Sequence, residues 1–94
     1  MLDFYLIHDE QSDATAADDL QHAGGIEAEE FEIAQQAGIV ETTADFYSEF
    51  RWSSAQVRAK VLLLTNCPFR DSISLSHVLN QAQAAGVGLR AFGD

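Results

Sequence analysis

Leu2-Asp3-Phe4-Tyr5-Leu6-Ile7 opens the chain with β-formers on both parities, and Leu2, Phe4 and Leu6 share one face. A second alternating run lies at the far end, with Val87, Leu89 and Ala91 set against Gly88, Arg90 and Phe92. Two strands at opposite ends of a short chain naturally pair with each other and bring the termini together. Everything between them reads as helix. The expectation is an α+β domain, mostly helical, in which four to five short helices accompany a two-stranded β pair made by the terminal segments. An all-helical bundle with extended ends is the alternative.

Working inward, Ser12 or Asp13 can cap a helix over Ala14 to His22 that Gly24-Gly25 stops. A second helix is expected from Glu27 to Ala37. Glu27, Glu29 and Glu30 favour its first turn, Gly38 sits at the left-handed stop, and Ile39 folds back onto the last turn. Thr42 or Thr43 can begin a short third helix to about Phe50, because Phe46 and Phe50 are four apart. Ser53-Ser54-Ala55-Gln56 is a capping box for a fourth helix to about Thr65, with Val57, Val61 and Leu64 on its apolar stripe. Asn66-Cys67-Pro68 breaks the chain. Asp71 or Ser72 then caps a last helix carrying Leu75, Val78, Leu79 and Ala82, which Gly86 ends.

The 94 residues are expected to form one domain, 1–94, without repeat or linker. A chain of this length buries only about 60 to 65% of its unfolded surface, so its stability margin is thin. Its 47% hydrophobic content still suffices for a core. The single cysteine, Cys67, excludes an intrachain disulfide, and the acidic start lacks the basic region of a signal peptide. No apolar run approaches the roughly 20 residues of a membrane span. A cytoplasmic location is the expectation.

Charge narrows the function classes. The net charge is -10, and all five basic residues (Arg51, Arg58, Lys60, Arg70, Arg90) follow position 50, whereas thirteen of fifteen acids precede it. The first fifty residues therefore carry -13 and the remainder +3. Free nucleic acid and anionic membranes are poor partners for such a surface, and a basic protein is a good one. The candidate partner-binding residues are Asp9, Glu10, Asp13, Asp18, Asp19, Glu27, Glu29, Glu30 and Glu32, with Tyr47 and Trp52 as aromatic contacts.

Catalytic and metal signals are thin. Asp18 and His22 are four apart on an expected helix and could share a metal, but a closed site needs three or four ligands. His8 to Asp13 lacks the glycine and terminal glutamate of a calcium loop. Cys67 and His77 are ten residues apart, and no phosphate loop, nucleophile elbow or metalloprotease helix occurs. No cofactor and no catalytic residue is assigned.

Asp3-Phe4-Tyr5-Leu6-Ile7, Phe46-Tyr47-Ser48-Glu49-Phe50-Arg51-Trp52 and Gly88-Leu89-Arg90-Ala91-Phe92-Gly93-Asp94 together resemble a group of small uncharacterised bacterial proteins. That group includes candidate immunity proteins, which neutralise toxins. The resemblance implies a bacterial source and an inhibitory role. It transfers no site residue.

Three function classes follow. The first is a non-catalytic immunity or inhibitor module whose acidic N-terminal half covers a basic surface on a toxin or nuclease. A phage-type nucleic-acid mimic that inhibits a defence nuclease uses the same physics. The second class is a small metal protein or enzyme built on Asp18, His22 and nearby carboxylates. The third is a homo-oligomer whose exposed aromatics pair across a two-fold axis.

Overall fold

The structure, a computed structural model, describes residues 1–66 and 73–93. The strands are β1 (Leu2–Ile7), β2 (Gln21–Ile26), β3 (Glu49–Trp52) and β4 (Gly88–Gly93), and the helices are α1 (Ala28–Gln36), α2 (Ser54–Asn66) and α3 (Ile73–Ala85). One 3-10 turn, Ala17–Asp19, precedes β2. The strands form a single sheet in the order β2-β1-β4-β3, with every neighbouring pair antiparallel.

β1 and β4 pair along their whole length, from Leu2 opposite Gly93 to Ile7 opposite Gly88. This register puts Leu2, Phe4, Leu6, Leu89 and Ala91 on one face. Phe50 and Trp52 of β3 join them, since Phe50 stands opposite Ala91 and Trp52 opposite Leu89. Ile26 completes the face from β2. The helices cover it with Phe31, Ala34, Val57, Leu64, Leu75, Val78, Leu79 and Ala82, and the whole set forms one continuous core. Asp3, Tyr5, Arg90, Phe92, Glu49 and Arg51 occupy the opposite face.

The expected two-stranded pair with four to five helices is therefore corrected to a four-stranded antiparallel sheet with three α-helices among the described residues. Two misread segments account for the difference. The helix expected over Ala14 to His22 is reduced to the 3-10 turn, and Gly24-Gly25 lies inside β2 instead of stopping a helix. Gly24 has φ 145°, a conformation open to glycine, and an added Cβ would press on Val78 of α3. It sits at the register shift between Phe4 and Tyr5. Thr42 to Phe50 likewise forms no helix; its end is β3. The alternation of Phe50 and Trp52 inward with Glu49 and Arg51 outward prevailed over the four-residue spacing of Phe46 and Phe50.

Other local signals act as their chemistry requires. The Ser53 amide donates to Gln56 Oε1 at 2.8 Å, and the Gln56 amide donates to Ser53 Oγ at 3.2 Å, which closes the capping box of α2. Gly38 adopts φ 81° after α1, and the Ile39 amide returns to the Ala34 carbonyl at 2.9 Å. The break expected at Cys67-Pro68 and the cap expected at Asp71 or Ser72 lie outside the described residues.

Candidate functional site

After Gly38 the chain turns back alongside α1, and Gln35 holds it there. Its side-chain amide donates to the carbonyls of Glu41 (2.9 Å) and Ala44 (2.8 Å). The next turn is built by Asp45, whose carboxylate accepts from the Tyr47 amide at 3.0 Å and whose carbonyl accepts from the Ser48 amide at 3.2 Å. Tyr47 is lifted to the surface at this turn and is 68% exposed.

Tyr47 does not stand alone. Its ring meets Phe46 edge-on at 5.1 Å, Phe46 meets Phe31 at 5.5 Å, and Phe31 lies 6.5 Å from Phe50. Phe50 in turn contacts Phe4 and Trp52. A chain of aromatic rings thus runs from the surface into the core, and edge-on contacts at these distances are attractive. Between α1 and the 41–48 loop lies an open groove of about 410 Å³, floored by Phe31 and Phe46 and rimmed by Glu32, Asp45 and Tyr47. Two carboxylates beside an exposed ring suit a lysine or arginine head, through charge and through the ring face.

The loop is braced from behind. Lys60 of α2 is only 6% exposed. Its Nζ donates to the Ile39 carbonyl at 2.5 Å and to Glu41 Oε2 at 2.8 Å, and it lies 4.4 Å above the Trp52 ring. Glu41 Oε1 accepts from Trp52 Nε1 at 2.9 Å. Partial burial is the largest influence on the Glu41 carboxyl and acts to raise its pKa. Hydrogen bonds from Lys60, its own backbone and Trp52, with the Lys60 charge, outweigh it and hold the group below the ordinary 4.5.

The expected acidic surface divides into groups. Glu27, Glu29 and Glu32 are exposed at the start of α1, beyond the Ile26 end of β2. Glu30 accepts from the Leu75 amide at 2.7 Å and so ties α1 to α3. Asp9, Glu10, Asp13, Asp18 and Asp19 lie toward the other end, separated from the first group by the six residues of β2, about 20 Å of strand. Two members of this second group serve the fold. The Asp9 carboxylate accepts from the Ser54 hydroxyl (2.5 Å) and amide (2.8 Å), and those bonds hold its carboxyl below the ordinary 3.8. Asp13 accepts from Arg51 at 2.7 Å, which lowers it likewise. Arg51 also donates to the carbonyls of His8, Asp9 and Gln11, clamping the 8–13 segment to the sheet.

Glu32 and Tyr47, both expected as partner contacts, therefore meet in one groove. Trp52, expected beside them, is 2% exposed and belongs to the core. Asp45, which falls inside the expected third helix, is instead the turn-former and second rim carboxylate. An Asp two residues before an exposed Tyr, after Thr-Thr-Ala, was the available signal for a side-chain-closed turn. Asp18 and His22 share no helix, since His22 lies on β2 with its Nε2 3.1 Å from Asp3 Oδ1. Among the described residues no three His, Cys, Asp or Glu side chains converge as a metal site. No helix among them is long and apolar enough to cross a membrane.

No protein-family model, curated protein or solved structure matches the chain.

Proposed function

We propose that the protein is a non-catalytic binding module of the immunity or inhibitor type, and that it seats basic side chains of a toxin or nuclease in the groove between α1 and the 41–48 loop. The observation that carries this reading is Tyr47, an exposed aromatic held in place by the Asp45 turn and by the rings beneath it, in a groove that Glu32 and Asp45 also line. A rigid aromatic anchor loses little entropy on binding, and neighbouring carboxylates select and steer a cationic partner. Glu29 and Glu27 extend the negative field along the start of α1. The lone Cys67 accords with a reducing cytoplasm as the place of action.

Binding to the captured partner tests the reading with two variants. Tyr47→Ala is expected to weaken affinity by about 2 kcal/mol, the loss typical of an anchor residue, or roughly thirtyfold. Glu29→Lys/Glu32→Lys is expected to slow association and to flatten its dependence on salt. Unchanged affinity and unchanged association rate in both would sink the proposal. Glu30 is left intact because its carboxylate holds the Leu75 amide.

A further inference from the structure

The chain's own cations are committed to acids outside the groove. Arg51 holds Asp13, Lys60 holds Glu41 and Arg90 holds Glu49. Among the described residues no cation reaches Glu32. The Asp45 carboxylate bonds only within its own turn, where Oδ1 accepts from the Tyr47 amide at 3.0 Å. The groove between α1 and the 41–48 loop therefore presents an unpaired carboxylate from the helix and a second oxygen, Asp45 Oδ2, from the loop. The bond on Oδ1 fixes how that second carboxylate is turned.

Between these carboxylates the lining is largely apolar, made by Phe31, Phe46, Ala28 and Ala44 with the exposed Tyr47 ring. Ring faces attract cations but accept no strong hydrogen bond. The two cationic side chains meet such a surface differently. A lysine ammonium is compact and strongly hydrated, and its N–H groups spread in three directions. Set against the rings, it sheds water and turns part of its donor set toward groups that cannot accept. A guanidinium is flat and weakly hydrated, and all five of its N–H groups lie in its plane. Its face can therefore cover a ring while its edges reach carboxylates on two sides.

Building on the binding role proposed above, we propose that the groove selects arginine over lysine. The guanidinium of a partner arginine stacks on the Tyr47 ring, directs N–H groups at one edge to Asp45 Oδ2, and directs those at the other edge to Glu32. Tyr47 and Asp45 are the specificity-determining residues, the first through its ring face and the second through its fixed carboxylate. Charge alone does not separate the two side chains, since both carry +1. The separation comes from the pairing of a flat aromatic surface with carboxylates supplied by the two different segments that bound the groove.

Two end-blocked peptides of equal length and charge test this, one carrying a pair of arginines between glycines and the other a pair of lysines. The field of the -10 chain acts on both alike, so a difference between them reports the groove. In titrations followed by NMR, both peptides should move the Tyr47 ring and Glu32 signals, and the arginine peptide should bind roughly fivefold tighter. Tyr47→Leu keeps an apolar side chain without a ring face, and should bring the two Kd values to within about a factor of two. Equal Kd values on the wild-type protein, or tighter binding of lysine, with the groove signals moving, would overturn arginine selection and leave the cation-seating groove standing. An arginine preference that survives intact in Tyr47→Leu would also overturn it. Groove signals that stay still with both peptides would overturn the binding role together with the selectivity.

Discussion

Lys60 is the residue on which the groove loop depends. Its ammonium satisfies the Ile39 carbonyl, pairs with Glu41 and rests on Trp52. Removing it leaves a carbonyl and a carboxylate without their donor. Lys60→Ala should cost about 2–3 kcal/mol in urea unfolding, less than for a sealed pair because the Glu41 side chain is 43% exposed. Lys60→Met keeps the stem over Trp52 and should cost less. An alanine variant as stable as wild type would contradict the brace. The position of Lys60 was legible in part: it lies three residues after Val57 and four before Leu64, on the buried stripe of α2. Its charge hid it, because lysine is rarely buried without a partner, and Glu41 is nineteen residues away in the chain.

At the scale of elements, short-range chemistry was readable and long-range pairing was not. The Ser53–Gln56 box, the Gly38 stop and the Leu75-Val78-Leu79-Ala82 stripe each depend on neighbours within a few residues, and each occurs in the structure. β2 and β3 depend on what lies across the sheet. Gln21-His22-Ala23-Gly24-Gly25-Ile26 has little strand propensity of its own, and it extends because Tyr5 and Leu6 face His22 and Gln21. The groove shares this origin. Glu32 and Tyr47 were separately recognisable, but only the return of the chain along α1, held by Gln35, brings them together. Two variants separate local from cross-strand support. Ser53→Ala removes one bond of the capping box and should cost about 1 kcal/mol in thermal unfolding. Gly88→Ala drives a Cβ onto the Trp52 carbonyl oxygen, where backbone must move, and should cost about 1–3 kcal/mol. A neutral Gly88→Ala would contradict the register of β3 on β4.

For the whole molecule, charge asymmetry is partly structural. Asp9, Asp13 and Glu41 anchor Ser54, Arg51 and Lys60, and all have depressed pKa values in the folded state. The unfolded chain therefore binds more protons at these sites. Their stabilisation is complete above the ordinary values of 3.8 and 4.5, and is lost as pH falls through the lower folded values. Unfolding midpoints should fall below about pH 4.5. Glu41→Gln, although less stable at neutral pH, should show a shallower acid decline. An acid limb unchanged in Glu41→Gln would remove that residue from the account.

The acids outside these bonds are the ones the functional proposal uses, and the measurement closest to it compares two baits in one lysate of the native host. Tagged wild-type protein and Tyr47→Ala, shown to be equally folded, are each used at low and at high salt. The account predicts a basic protein retained by wild type at low salt, weakened at high salt, and lost from Tyr47→Ala at both. Equal retention by the two baits, or no basic protein on either, would contradict it.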